Sequence, residues 1–212
     1  MKKIFTLLMA LLMLAPAYAD LQKKLDKKLE KAQEKEMKEK KKAYQKGGWE
    51  IMGSRTMDVA LLKHYSKLNE LGDEGLVFDG TAQNTKSKNI AEQMALNNAT
   101  IKYAQKAGST VKGRVISDIM AEGTANEAEF EKFYAAYERL VEQNVKNVLI
   151  PSYSVIKQNP DGTYEVQSFF IVDESKARVA RLAALEKAIR ETELAQEYAS
   201  KVSDFANDRI EE

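Results

Sequence analysis

The feature that most constrains this sequence is a pair of β-branched and aromatic runs, residues 148–158 and 163–173, flanking Asn159-Pro160-Asp161-Gly162. Proline fixes φ at the second position of a turn, and glycine tolerates the positive φ needed after it. The two runs are expected to form an antiparallel hairpin. The second carries Val166, Phe169, Phe170, Ile171 and Val172. Being apolar on both sides near its end, it is expected at the centre of a sheet.

The stretch before the hairpin alternates between helix and strand signals. Trp49-Glu50-Ile51-Met52-Gly53 alternates and predicts a short extended segment. Residues 56–71 place Met57, Leu61, Leu68 and Leu71 on one helical face, and Gly72 and Gly75 stop that helix. Residues 76–82 are expected as a strand. A second helix is expected over 87–107, opened by Ser87 as N-cap and closed by Gly108. Ile90, Met94, Ile101 and Ala104 would line its packed face, with Ala91, Ala95 and Ala99 forming a small neighbouring strip that permits close approach. Residues 109–123 fit either a strand or a helical continuation. A third helix is expected over 126–147, with Phe130, Phe133, Tyr134, Tyr137, Leu140, Val141 and Val145 three or four apart. Residues 175–210 read as one last helix, with Val179, Leu182, Ile189, Tyr198, Val202 and Phe205 as its apolar positions. The expected fold class is α+β: a mainly antiparallel sheet of three to four strands with packed helices, framed by long charged N- and C-terminal helices.

The N-terminus reads differently. Lys2 and Lys3 precede an almost unbroken apolar run over residues 4–15, Pro16 breaks it, and Ala17-Tyr18-Ala19 stands ahead of Asp20. That order of parts is a secretory signal peptide cleaved after Ala19. The run is shorter than the roughly 20 apolar residues a membrane span needs, and no later stretch is long enough either. The expected product is periplasmic or secreted, with no transmembrane span after cleavage. Residues 20–47 then form a charged helical leader. Between 20 and 46 there are eleven lysines and six acids, a net charge of +5, with Leu21, Leu25, Leu29 and Ala32 at helical spacing and Gly47-Gly48 at its end. Its apolar stripe is too thin to hold it in place by burial alone. A weak contact with an acidic surface through residues 20–46 is one expectation; docking through the leucines is the other. Residues 48–173 follow as the α+β domain and 174–212 as the C-terminal amphipathic helix. From 173 to 212 there are ten acids and seven bases, so the near-neutral whole hides a segregated charge.

The search for chemistry yields no catalytic constellation. The absence of cysteine excludes disulfides, thiolate nucleophiles and cysteine-ligated metals. A single histidine, His64, excludes a multi-histidine metal site, though not a Ser-His pairing. His64 falls at the edge of the apolar stripe of its helix and is expected to be half-buried; Ser66 and Asp58 are near it in sequence, with no nucleophile-elbow motif. Asp73, Glu74 and Asp79 lie among glycines, but without the alternating spacing of a calcium loop. Tyr134 and Tyr137 beside Phe130 and Phe133 could form a stacking platform; at helical spacing they are expected as core. A formal net charge of +1 gives no electrostatic case for nucleic acid. No catalytic, cofactor or metal residue is assigned, and a non-enzymatic role is expected.

The centre of the chain nevertheless carries a pattern. Phe78-Asp79-Gly80-Thr81-Ala82 precedes an Ala-rich helix over 89–99, then Ala107-Gly108-Ser109-Thr110-Val111. Ile150-Pro151-Ser152-Tyr153-Ser154-Val155 and the Asp161-Gly162-Thr163-Tyr164-Glu165-Val166 turn follow. Residues 76–173 thereby resemble the Lpp-twenty type of small bacterial surface lipoprotein and the N-terminal module of the flagellar H-ring protein FlgT. The resemblance implies a small module with helices on one face of a mainly antiparallel sheet, serving envelope assembly or binding and offering no catalytic residues. This sequence lacks the lipobox cysteine of the lipoproteins, so lipid anchoring is not expected. An envelope protein partner or self-association is the expected mode of action. A ligand-binding or hydrolytic domain with a polar site near His64 is the alternative.

Overall fold

The structure, a computed structural model, describes the backbone of residues 2–122, 127–192, 196–207 and 210, with side chains over the same span except 2–22, 26, 122, 196 and 197. The side chains of Ala17, Tyr18, Ala19 and Leu21, and Asn126 at the expected start of the third helix, lie outside the described residues. The chain divides into two compact units, Met1–Gly47 and Gly48–Glu212.

The first unit is helix α1, Lys2–Lys46. Exposed Glu–Lys pairs four residues apart run along it: Glu34–Lys38 at 2.9 Å, Glu36–Lys40 at 3.4 Å and Lys35–Glu39 at 3.8 Å. Each adds only about 0.3–0.5 kcal/mol of local helix support. Leu25 and Leu29 are both exposed.

The second unit is α+β. Its elements run β1 (Glu50–Ile51), α2 (Met57–Leu71), β2 (Gly75–Thr85), α3 (Lys88–Asp118), α4 (Glu127–Val145), β3 (Leu149–Gln158), β4 (Tyr164–Asp173), α5 (Glu174–Thr192) and α6 (Gln196–Asn207), with 3-10 turns at Gly72–Glu74 and Met120–Glu122. The four strands form one antiparallel sheet in the order β1-β3-β4-β2. The hairpin forms as its turn chemistry requires. Gly162 adopts φ +83°, its N–H donates to Asn159 O at 3.0 Å, and Asp161 Oδ1 accepts from Thr163 N at 2.9 Å. β4 is central, between β3 and β2.

The pleat assigns the two faces. Leu76, Phe78 and Ala82 pair in register with Val172, Phe170 and Val166, and these residues pack against α3. On the opposite face Tyr153 stacks on Phe169 at 4.5 Å, and His64 of α2 meets Tyr153 edge-on at 5.3 Å. Helices therefore cover both faces, not the single face that the resemblance implied.

α3 corrects two expectations, its end and its packed face, and settles one that stood open. It does not end at Gly108 but runs to Asp118, which makes residues 109–118 helical. Gly108 is kept small by packing: a Cβ there would run into the side chain of Glu138 on α4. Of the expected packed face only Ala104 is buried. Ala91, Ala95 and Ala99 are buried, followed by Tyr103, Ala107 and Val111, while Ile90, Met94 and Ile101 are exposed. The cause is the crossing with β2. A Cβ on Gly80 would overlap Ala95 O and come within 2.7 Å of Ala99 N, so only alanine fits between helix and sheet.

The C-terminal segment differs as well. In place of one helix over 175–210 there are α5 and α6. Arg181 Nε donates to Ala206 O at 3.4 Å; in a continuous helix these residues would stand roughly 38 Å apart. α6 thus folds back on α5. Val179, expected as packed, is exposed, and Arg181 is buried in its place among Ala177, Ala184, Leu185 and Ala188.

Candidate functional site

The site follows from where β1 stops. Glu50 and Ile51 pair with Ile156 and Val155, and Met52 N donates to Ser154 O at 2.9 Å. Gly53 then turns the chain away at φ +91°. Beyond that point residues 149–151 pair with β4 on one side, and residues 149–152 carry no ladder partner on the other among the described residues. The register of β3 against β4 slips between Pro151 and Tyr153, leaving Ser152 as the extra residue of a bulge. A bulge re-aims the side chain it carries and is common beside binding sites.

At this corner a cleft of about 450 Å³ opens between the start of α3 and the β3 edge. Ser154 and Ser168, hydrogen-bonded to each other at 2.8 Å, and Phe170 form its floor. Asn89, Glu92, Gln93 and Leu96 come from α3, and Met52, Gly53, Pro151 and Ser152 form the rim. The volume is within the usual range for ligand clefts, and hydroxyl and amide groups converging beside apolar side chains, here Met52, Leu96 and Phe170, are a usual combination. Glu92 is the one charged residue among those lining it.

His64 lies behind this cleft, not in it. Only 2% exposed, it is more deeply buried than expected, and its ring sits edge-on to Tyr65 and Tyr153. His64 Nδ1 and Ser152 Oγ share a hydrogen bond of 2.8 Å. The hydroxyl at the cleft rim is thus fixed from the far face of the sheet by a residue 88 positions away, whereas Ser66 and Asp58, its sequence neighbours, are not the groups that the structure joins to the cleft.

The other sequence suspects separate. Asp79 is bonded by Lys102 Nζ at 2.6 Å and Gln167 Nε2 at 3.3 Å. Burial pushes its pKa up, but these donors outweigh burial and hold it below the ordinary value. Glu74 instead faces Arg178 at 3.6 Å. Among the described residues no group of three or more His, Asp and Glu is placed to hold a metal ion. Phe130, Phe133, Tyr134 and Tyr137 are core, Phe133 stacking on Tyr137 at 6.0 Å. Burial, and secondarily Glu131, pushes the Tyr134 hydroxyl up to about 12.

Two groups were not read from the sequence. The cleft depends on a bulge and a sheet edge, neither of which has a periodic signature. The second is a buried network. Arg181 Nη1 bonds Glu174 Oε1 at 2.6 Å and Tyr103 OH at 2.5 Å, Tyr103 OH donates to Glu174 Oε2 at 3.2 Å, and Ile210 N donates to Glu174 Oε1 at 3.2 Å. Its signal was available: Arg181 falls among Ala177, Ala184, Leu185 and Ala188, an apolar stripe that cannot bury a charge without a partner. Burial drives the Tyr103 hydroxyl well above its ordinary range; burial opposes the Arg181 charge, yet Tyr103 and Glu174 outweigh it and raise its pKa. The network joins α3, α5 and the end of the chain inside the core and is structural.

No family model, curated protein or solved structure matches the chain.

Proposed function

We propose that this chain is an exported, non-enzymatic protein of the cell envelope that works by protein–protein contact, with the unit Gly48–Glu212 as its binding module. The observation that carries this reading is the cleft: the hydroxyls of Ser152, Ser154 and Ser168 and the amides of Asn89 and Gln93 converge beside Met52, Leu96 and Phe170 at an open corner of the sheet. The signal-peptide pattern ending at Ala19 and the resemblance of residues 76–173 to envelope modules of the Lpp-twenty and FlgT type support the compartment. Residues 20–46, with their net charge of +5, supply a weak secondary contact with acidic surfaces. Retention of partners from envelope extracts on the chain with and without residues 20–46 tests the reading. A shared partner on both forms is expected; no partner on either removes its support. N-terminal sequencing of the exported protein should begin at Asp20.

A hydrolytic reading draws on one observation, the 2.8 Å bond between His64 Nδ1 and Ser152 Oγ at the cleft rim. A fluorophosphonate probe would label Ser152, and lose that label in His64→Gln, if the pair activates the hydroxyl. Unlabelled Ser152 leaves His64 as the residue that holds the bulge.

A further inference from the structure

The corner where β1 ends combines an open strand edge, a cleft directly beneath it and a single charge. From these we infer that the cleft binds a short extended peptide segment carrying a basic side chain, which continues β1 along β3 and places its cation at Glu92. The inference deepens the contact reading given above and rests on it.

The backbone supplies the first argument. The last ladder bond on this side is Met52 N to Ser154 O, and the chain leaves at Gly53. Residues 149–152 extend the same edge for roughly 13 Å. An extended peptide can add to such an edge through main-chain bonds while its alternate side chains enter adjoining pockets. Pro151 lies within this edge and has no N–H to offer, and the Ser152 bulge twists it. Both features discourage long flat strands from adding. They leave room for a short segment, so the edge is selective and does not invite open-ended aggregation.

The cleft supplies the second argument. One side of an added strand would project over Ser154, Ser168 and Phe170, against α3. There Asn89 and Gln93 present amides that can bond to peptide groups, and Glu92 stands exposed on the same wall. With one carboxylate and no cation among the lining residues, the cleft favours a Lys or Arg side chain over an acidic one.

Selection of the full-length purified chain against random linear peptides of about twelve residues tests this. Enrichment of peptides with a basic residue flanked by extended-forming residues is expected. Their binding should weaken by about tenfold or more in both Glu92→Lys and Gln93→Trp. These are exposed α3 positions, and unchanged thermal unfolding would certify that the variants fold. Amides on the free side of the residue 149–152 edge, alternate ones along the strand, should exchange more slowly with peptide bound. Absence of any enriched peptide, or peptides that bind both variants equally, overturns the inference. So does a cleft that takes soluble N-acetylated oligosaccharides and no peptide. If an envelope partner is retained equally by the wild-type chain and by Gln93→Trp, the contact reading stands and this site for it falls. If no partner is retained at all, the contact reading itself falls.

Discussion

At the scale of single residues, two glycines in and against α3 are small for different reasons. Gly80 faces backbone atoms of Ala95 and Ala99, which cannot move without lifting α3. Gly80→Ala should therefore destabilise by about 1–3 kcal/mol or more. Gly108 faces the Glu138 side chain from Cγ to Oε1, which can turn aside only as a whole, and alanine gains about 0.5–1 kcal/mol over glycine inside a helix. Gly108→Ala should therefore cost less than Gly80→Ala. Urea unfolding of the two variants checks the contrast; equal losses would contradict the crossing geometry. Arg181 and Glu174 provide a sharper case, being 1% and 0% exposed. Arg181→Met should cost about 3–5 kcal/mol by stranding the carboxylate. Arg181→Met combined with Glu174→Gln should recover part of the loss, because glutamine still accepts from Ile210 N. A single variant as stable as wild type would show that Glu174 is not held by this pair.

At the scale of elements, β2 is an eleven-residue edge strand that needs protection. α3 provides it. Asn98 Nδ2 donates to Thr81 O at 2.6 Å, and Lys102 Nζ reaches Asp79 O at 3.4 Å as well as its carboxylate. Carbonyls two residues apart along a strand point the same way, so these side chains cap the same edge. Asn98→Ala with Lys102→Ala should raise concentration-dependent light scattering more than it lowers the thermal midpoint. Which elements were legible depends on how local their causes are. The Asn159–Gly162 turn dictates its hairpin through φ alone, and the Thr56 and Ser87 caps open α2 and α3 at the residues expected or one beyond. The face of α3 was misread because hydrophobicity favours Ile90 and Met94, whereas the helix–sheet distance at Gly80 admits only alanine. The fold-back of α6 on α5 is tied by Arg181 Nε to Ala206 O and by Ile210 N to Glu174 Oε1, polar contacts that a search for apolar spacing passes over. The cleft was not legible at all, since it arises where a two-residue strand stops short of its longer neighbour.

At the scale of the whole molecule, stability and function draw on different charges. Asp173, held low chiefly by the Ser175 hydroxyl, and Asp79, held low by Lys102 and Gln167 against the effect of burial, both have folded pKa values below 3.8. A carboxylate depressed on folding contributes stability that is present above its unfolded pKa and lost as pH falls through its folded pKa. The urea midpoint should be flat from about pH 7 to 5 for these groups and fall below about pH 4. Asp79→Asn should shallow that fall; an unchanged acid slope would show that the Lys102 contact contributes nothing. Glu92, by contrast, serves the cleft. The central claim is that contact with a partner runs through the cleft between α3 and β3. Placing an aliphatic diazirine side chain, close to glutamine in size and so unlike the blocking Gln93→Trp, at Gln93, with exposed Glu142 on α4 as control, tests it in intact cells. A discrete cross-linked adduct from position 93 and none from position 142 is the predicted result. Adducts at neither position, or at both alike, would contradict it.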